Sequence, residues 1–241
     1  MGVIARALLN LAGLLVRLAR RMTPAPVVPD AGRIPAGIGG PVRGQHLKLH
    51  LGCGHIHVSG FVNVDIDPSL PTVDVVDDVG RLGRFADGSA SLIYACHVLE
   101  HFSHHEVPAI LQRWFAVLEP GGELRISVPD IDRIVKVYAA HWQHFQTPPH
   151  SPWIGLIYGG QATAYDYHKT GFNFVWMRHL LEAAGFQDVR ENTHEPHWLG
   201  IRDASLAREP FGEFVSLNVV ARKPLGAGHT AVGSAASARR H

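Results

Sequence analysis

A glycine turn between two apolar runs, followed by an acidic residue, is the clearest sign of chemistry in this sequence. The turn Gly52-Cys53-Gly54 ends an apolar run that starts at Leu47, and Asp65 ends the next short run. Glycine lets the backbone approach a ligand closely, and an acid at the next strand's tip can accept hydrogen bonds from a ribose diol. This pattern predicts a site for a cofactor that contains adenosine.

The same turn departs from two common phosphate-binding motifs. The dinucleotide fingerprint has a third glycine where this chain has His57, and no Gly-Lys-Ser/Thr follows the turn as a P-loop would require. The predicted cofactor therefore carries adenosine without a pyrophosphate. A nicotinamide-dependent oxidoreductase is disfavoured for the same reason, although a similar sheet keeps it as an alternative.

Further strand and turn signals follow in order along the chain. Residues 74–78 predict a third strand ending in acid, residues 91–95 a fourth, and residues 123–128 a fifth after a Pro-Gly-Gly turn. In this order the segments resemble class I S-adenosylmethionine-dependent methyltransferases over residues 46–222. The chain is also similar to a subgroup of predicted methyltransferases associated with surface-polysaccharide biosynthesis.

The resemblance implies an α/β fold of the Rossmann-like methyltransferase type, with a mostly parallel seven-stranded sheet and an antiparallel last strand. The bound cofactor would be S-adenosylmethionine. The implied cofactor-binding residues are Gly52, Cys53 and Gly54 at the methionine end, Asp65 and Ile66 at the ribose and adenine, Asp78 and Val79 at the adenine edge, and Cys96 and His97 near the sulfonium. Asp65 could instead be a solvated strand-end acid, and Asp78 could be a helix cap.

The first crossover is shorter than the resemblance implies. Too few residues separate Gly54 from Phe61 for a crossover helix, because parallel strands ordinarily need about a dozen or more connecting residues. The first helix is therefore predicted to be a single turn or a loop. This leaves a non-catalytic cofactor-binding module, acting through partners, as the alternative to an active enzyme.

The predicted reaction is methyl transfer to a hydroxyl of a small molecule or glycan, including a lipid-linked sugar. A hydroxyl acceptor needs a positioned base, and histidine suits this role near neutral pH. The candidates are His168 first, His101 second and Asp130 third. His168 lies in an aromatic, polar insert at about residues 150–172, which is interpreted as an acceptor-binding lid or as a packed connecting loop.

Composition limits the partners. The formal net charge is +1, without the basic stripe typical of a nucleic-acid binder. Two cysteines form no disulfide framework and fit a reducing, cytoplasmic compartment. Among 17 histidines, His97 and His101 have a spacing that metal ligands use, but the segment has no complete metal-site pattern, and no metal is predicted.

The ends of the chain differ from its middle. Residues 1–22 predict an amphipathic basic helix, and its uncharged run is too short to span a bilayer. This helix is expected to lie peripherally on the inner face of a membrane, or to dock on the domain or a partner. Residues 23–45 form a Pro/Gly-rich linker, residues 46–223 the methyltransferase domain, and residues 224–241 a disordered tail. The oligomeric state does not follow from the sequence.

Overall fold

The structure is a computed structural model, and it describes residues 42, 44–143, 152–192, 201–206, 208 and 212–226. The predicted helix at residues 1–22, most of the linker at 23–45 and most of the tail at 224–241 lie outside the described residues. Among the described residues, none of the helices combines the length and the apolar character that crossing a bilayer requires.

Seven strands form a single sheet in the described part of the chain, in the order β3-β2-β1-β4-β5-β7-β6. Strands β1 to β5 pair in parallel, whereas β7 runs antiparallel to both β5 and β6. The strands are β1 Leu47–Leu51, β2 Val62–Asp65, β3 Val75–Val76, β4 Ala90–Cys96, β5 Leu118–Pro129, β6 Gln187–Glu191 and β7 Ser216–Arg222. The predicted Rossmann-like sheet with an antiparallel last strand is confirmed.

Strands β3 and β5 depart most from their predicted lengths. β3 covers two residues rather than five, because this edge strand pairs only with β2. β5 covers twelve residues, since it includes the Pro-Gly-Gly segment that was predicted to precede it. Pairing with β4 on one side and β7 on the other accounts for the long extended run.

Helices cover the sheet and follow the apolar spacing of the sequence. They are α1 Val107–Val117, α2 Ile131–His141, α3 Pro152–Tyr158 and α4 Phe174–Ala183, with one-turn 3-10 helices at Leu99–His101 and Ala204–Leu206. Ser103 donates to the Glu106 carboxylate from its backbone nitrogen at 2.9 Å. This bond is one half of a capping box, which the Ser-x-x-Glu spacing of these two residues favours, and regular helix begins at Val107.

Buried Lys223 caps the carboxyl end of α1. Its ammonium donates to the carbonyl oxygens of Phe115 at 2.8 Å and Leu118 at 2.6 Å. A cation is favourable there because the carboxyl end of a helix carries partial negative charge.

The short first crossover contains turns and no helix in residues 52–61. Fully buried Asn63 holds it together. The Asn63 side chain accepts from the Val58 backbone nitrogen at 2.9 Å, contacts His50 Nδ1 at 3.0 Å and donates to Asp74 at 2.8 Å. A polar side chain thus replaces the packing that a crossover helix would supply. Of the two predicted forms of this connection, a single helical turn or a loop, the structure has the loop.

Candidate cofactor and acceptor site

The two glycines of the first turn are needed for different reasons. Gly52 has φ +61°, and a β-carbon there would lie 2.4 Å from Val98 Cγ2. Gly54 has φ +50°, but a β-carbon there would meet no atom of the described residues within 4 Å. Close packing against Val98 therefore requires glycine at position 52, whereas Gly54 borders open space into which a ligand can fit.

Asp65 lies beside this open space at the carboxyl end of β2. Its Oδ2 accepts from the Gly54 backbone nitrogen at 2.8 Å, and its Oδ1 accepts from the Asp67 nitrogen at 3.1 Å. A carboxylate offers about four acceptor positions, so two remain for a ribose diol. Ile66, the predicted adenine contact, is half-buried next to it.

Thr72 is a residue of this turn that the sequence reading missed. Its hydroxyl donates to the Gly54 carbonyl, which fixes the turn from the side of the β2–β3 connection. Cys53, the middle residue of the turn, is buried, and burial together with Asp65 raises the pKa of its thiol to about 11. A thiol with this pKa stays protonated at neutral pH, so Cys53 is a small turn residue and not a nucleophile.

The predicted adenine-edge residues have structural partners of their own. Asp78 accepts from the Gly80 backbone nitrogen at 2.8 Å and faces Arg81 Nε at 3.4 Å. Val79 packs in the main core, and its carbonyl accepts from Trp114 Nε1 at 2.8 Å. Asp78 thus caps a turn, and contact of either residue with adenine stays a prediction.

Cys96 is the last residue of β4, and His97 follows the strand directly. Burial, with Asp203 next, raises the pKa of the Cys96 thiol. His97 has φ +53°, and burial and then His168 lower its pKa to about 4. The ring is therefore neutral at pH 7.

The partners of His97 fix which ring nitrogen carries the proton. Ser216 Oγ donates to the Ala204 carbonyl at 3.0 Å, so it accepts from His97 Nε2 at 2.9 Å. The lone pair of the ring is then on Nδ1, which lies 3.5 Å from Glu100 Oε1.

Glu100 is the most unusual residue of the site. Its side chain is 1% exposed, and neither carboxylate oxygen has a hydrogen-bond partner among the described residues. Burial raises its pKa to about 8. A buried carboxylate without partners is costly, which makes Glu100 a candidate for function.

Two of the predicted bases converge on this carboxylate. His168 Nε2 lies 3.9 Å from Glu100 Oε1, and the rings of His101 and His168 meet edge to face with centroids 5.0 Å apart. Glu100, His101 and His168 each place one ligand-capable atom within 4.8 Å of the other two. We name these three residues the Glu100 cluster.

The insert brings His168 to the cluster by backbone hydrogen bonds. Lys169 N donates to the Glu100 carbonyl at 2.7 Å, and Thr170 Oγ1 donates to the Phe102 carbonyl at 2.7 Å. His168 N donates to the Tyr158 carbonyl at 3.1 Å, which links the segment to α3. The insert is thus docked on the segment after β4.

Backbone carbonyls also fix the tautomers of both histidines. His101 Nδ1 lies 3.3 Å from the Tyr167 carbonyl, and His168 Nδ1 lies 3.2 Å from the Leu156 carbonyl. Carbonyls only accept, so Nδ1 carries the proton and Nε2 the lone pair in each neutral ring. Burial lowers the pKa of both rings.

Asp130, the third predicted base, is engaged elsewhere. Its carboxylate caps α2 by accepting from the Asp132 nitrogen at 3.0 Å, and it pairs with Arg133 Nε at 3.0 Å. Burial raises its pKa while Arg133 opposes that shift. This carboxylate is a helix cap, and its role as a base stays a prediction that these contacts argue against.

Sequence analysis also did not identify Tyr94, in β4, and its partner Asp203. Tyr94 donates to the Asp203 carboxylate, and burial raises the pKa of the Tyr94 hydroxyl. The signal for Glu100 was present as an acid directly after apolar Val98 and Leu99. Asp203 had no comparable signal, because it is distant in the chain from its partner.

Comparison with known proteins adds the family. Residues 50–191 match the methyltransferase domain family. This range includes the Gly52–Gly54 turn, Asp65 and the whole Glu100 cluster. The chain belongs to this family of methyltransferases. No protein among curated sequences matches the methyltransferase.

Solved structures that resemble this methyltransferase do so at low identity. A methyltransferase from Methanosarcina mazei is 17% identical with a TM-score of 0.49, covering 76% of this chain and 95% of its own. One from Archaeoglobus fulgidus is 16% identical with a TM-score of 0.48, covering 75% and 87%. Phosphoethanolamine N-methyltransferase 2 from Haemonchus contortus, solved with S-adenosyl-L-methionine, is 13% identical with a TM-score of 0.45, covering 77% and 50%. The family assignment rests on the matched domain and not on these structures.

Proposed function

We propose that this methyltransferase transfers a methyl group from S-adenosylmethionine to a hydroxyl of a small molecule or glycan, including a lipid-linked sugar. The observation that carries the proposal is the contact between Gly54 and Asp65. It places a carboxylate with two free acceptor positions beside open space at the carboxyl ends of β1 and β2. Ligands of open α/β sheets bind at this edge.

The residues present fit the cofactor. The backbone of Gly52, Cys53 and Gly54 would hold the methionine end, and Asp65 the ribose hydroxyls. Bound S-adenosylmethionine supplies a methyl group on a positively charged sulfur, and transfer forms an oxygen–carbon bond as the carbon–sulfur bond breaks with its electron pair on sulfur. The chain's main task is then to align the acceptor oxygen with that methyl group.

The Glu100 cluster would receive the acceptor hydroxyl. His168 presents the lone pair of Nε2, because its Nδ1 proton is held by the Leu156 carbonyl. In the metal-free protein, His168 is proposed to accept the proton of the acceptor hydroxyl. His101 presents Nε2 in the same way and is the second candidate.

Aromatic side chains on the insert support a sugar acceptor. Tyr158, Tyr165 and Tyr167 are 55%, 51% and 44% exposed, and exposed aromatic rings can stack on the apolar faces of sugar rings. The insert would act as a lid that carries both the tyrosines and His168. A role in surface-polysaccharide biosynthesis, in the cytoplasm or at the inner membrane face, follows as part of the proposal.

The non-catalytic alternative was based on the short first crossover. That loop is held by Asn63 and leaves Gly54 open, so the short connection does not by itself remove the cofactor site. No observation on the described residues specifically favours the non-catalytic module.

A methyl-transfer assay with labelled S-adenosylmethionine tests the proposal. The acceptors are nucleotide sugars and a short lipid-linked oligosaccharide, and the variants are His168→Ala and, as a matched control, His104→Ala. His104 is exposed and lies outside the cluster. We expect transfer to a hydroxyl, lost in His168→Ala and kept in His104→Ala. Transfer to a nitrogen or carbon acceptor alone, or equal rates in both variants, would contradict the proposal.

A further inference from the structure

We propose that Glu100, His101 and His168 form a binding site for one divalent transition-metal ion. The three residues come from the one-turn helix after β4 and from the insert. Their ligand-capable atoms all lie within 4.8 Å of one another. The proposal replaces the sequence expectation that the chain has no metal site.

The side-chain atoms of the Glu100 cluster that face one another are hydrogen-bond acceptors, and none of the described residues donates to them. His101 and His168 both direct their protonated Nδ1 to backbone carbonyls, which leaves a lone pair on each Nε2. Both Glu100 oxygens are buried and have no hydrogen-bond partner in the part of the chain that the structure describes. His97 adds a further lone pair, on Nδ1, 3.5 Å from Glu100 Oε1. Lone pairs that converge in a buried place need a positive charge between them.

Protonation of Glu100 satisfies this need less well than a metal ion does. A carboxylic acid has one proton and can donate to one nitrogen. The nearest nitrogens, on His97 and His168, lie 3.5 and 3.9 Å from Oε1, and both distances exceed those of good hydrogen bonds. One cation could instead bind both imidazole nitrogens of the cluster and the carboxylate.

The surroundings of the histidines also suit metal ligation. Metal-binding histidines typically donate their other ring nitrogen to a carbonyl or carboxylate, which fixes the ring orientation. His101 and His168 both do so here. Two imidazoles and one carboxylate favour Zn²⁺, Mn²⁺ or Fe²⁺ over Mg²⁺ and Ca²⁺, which prefer oxygen ligands.

Binding requires a small contraction. Ligand atoms around a tetrahedral zinc ion with bonds of about 2.1 Å lie about 3.4 Å apart. Glu100 Oε1 and His168 Nε2 lie 3.9 Å apart, and no two ligand atoms of the cluster lie more than 4.8 Å apart, so the pairs must close by about 0.5 Å to at most about 1.4 Å. Rotation about side-chain bonds supplies movements of this size without a change of fold.

The consequence for catalysis rests on the proposed function. An ion with three protein ligands keeps positions open, and an acceptor oxygen that binds there loses its proton to water more readily. In the metal-loaded protein His168 would then act as a ligand, and its base role would be confined to the metal-free protein.

Metal binding tests the proposal without cofactor or acceptor. The full chain, without a histidine tag, is stripped with a chelator and titrated with Zn²⁺ against a chromophoric chelator. We expect one tight equivalent, and a loss of affinity of more than about 100-fold in Glu100→Gln and in His168→Ala, since even outer partners of a metal site contribute 10- to 100-fold. The matched control His104→Ala/His105→Ala keeps the tight equivalent.

Three results would overturn the proposal. They are the absence of a tight equivalent in the wild type, equal affinity in Glu100→Gln, and loss of binding in the His104/His105 control. Circular dichroism of each variant shows whether it is folded. If His168→Ala fails to fold, the near-isosteric Glu100→Gln decides the question. Because the titration contains no S-adenosylmethionine, failure of the metal site and failure of methyl transfer are separate results.

Discussion

Substitution of the two turn glycines by alanine should separate folding from ligand binding. Both residues have positive φ, and a β-carbon in that region costs about 1–2 kcal/mol. Gly52→Ala also places its β-carbon 2.4 Å from Val98 Cγ2, and such overpacking costs about 1–3 kcal/mol more. Gly54→Ala meets open space, so its free energy of unfolding should fall by the smaller amount.

Urea denaturation at 25 °C measures the difference. Gly52→Ala should be less stable than Gly54→Ala by about 1–3 kcal/mol, which is the overpacking cost alone. Affinity for S-adenosylmethionine, measured by calorimetry, should fall at least tenfold in Gly54→Ala, because the new methyl group occupies the space proposed for the cofactor.

A double-mutant cycle provides the control. Val98→Ala removes both γ-carbons and leaves its β-carbon 3.5 Å from the new one, which is an ordinary contact. Val98→Ala should therefore relieve part of the Gly52→Ala cost, while combining additively with Gly54→Ala. Equal stability of the two glycine variants, or additive costs for Gly52→Ala and Val98→Ala, would refute the reasoning.

Three further variants test other parts of the account. Asn63→Ala leaves the Val58 N–H and His50 without their partner and should lower the free energy of unfolding by about 2–6 kcal/mol in urea, since each of the two unpaired groups costs about 1–3 kcal/mol. Lys223→Met keeps the apolar stem but leaves the carbonyls at the end of α1 unpaired, and should cost about 1–3 kcal/mol in the same assay. Deletion of residues 1–22 should reduce co-sedimentation with anionic vesicles, because the predicted helix carries arginines for headgroups.

Each of these has a defined contrary result. Stability of Asn63→Ala within 0.5 kcal/mol of wild type, the size of an ordinary surface effect, would show that the crossover does not depend on Asn63. The same result for Lys223→Met would remove its role at the end of α1. Equal vesicle binding of the full and shortened chains would contradict membrane contact through residues 1–22.

The sheet could be predicted because its signals are local. Apolar runs, the Gly52–Gly54 turn and Asp65 lie in short stretches, and parallel strands read as near-continuous apolar segments. α2 was missed, although Asp130 directly precedes it as a cap. The sequence predicts Asp130 as a base instead, because strand ends of this sheet face the ligand and an aspartate suits both roles.

The Glu100 cluster could be predicted only in part. His101 and His168 were chosen as separate bases, but their contact depends on how the insert docks on the carbonyl of Glu100. That docking is a property of the fold and leaves no spacing in the sequence. The four-residue spacing of His97 and His101 does not place them on one helix, because His97 lies before the one-turn helix, at positive φ.

Calorimetric titration with S-adenosylmethionine and S-adenosylhomocysteine tests the central claim most directly. The proteins are the wild type, Asp65→Ala and the control Asp67→Ala, whose exposed side chain lies two residues beyond Asp65. The account predicts that the wild type binds one equivalent of each ligand, that Asp65→Ala binds at least tenfold more weakly, and that Asp67→Ala binds like the wild type. Absence of binding to the wild type, or equal binding by Asp65→Ala, would contradict the cofactor site described here.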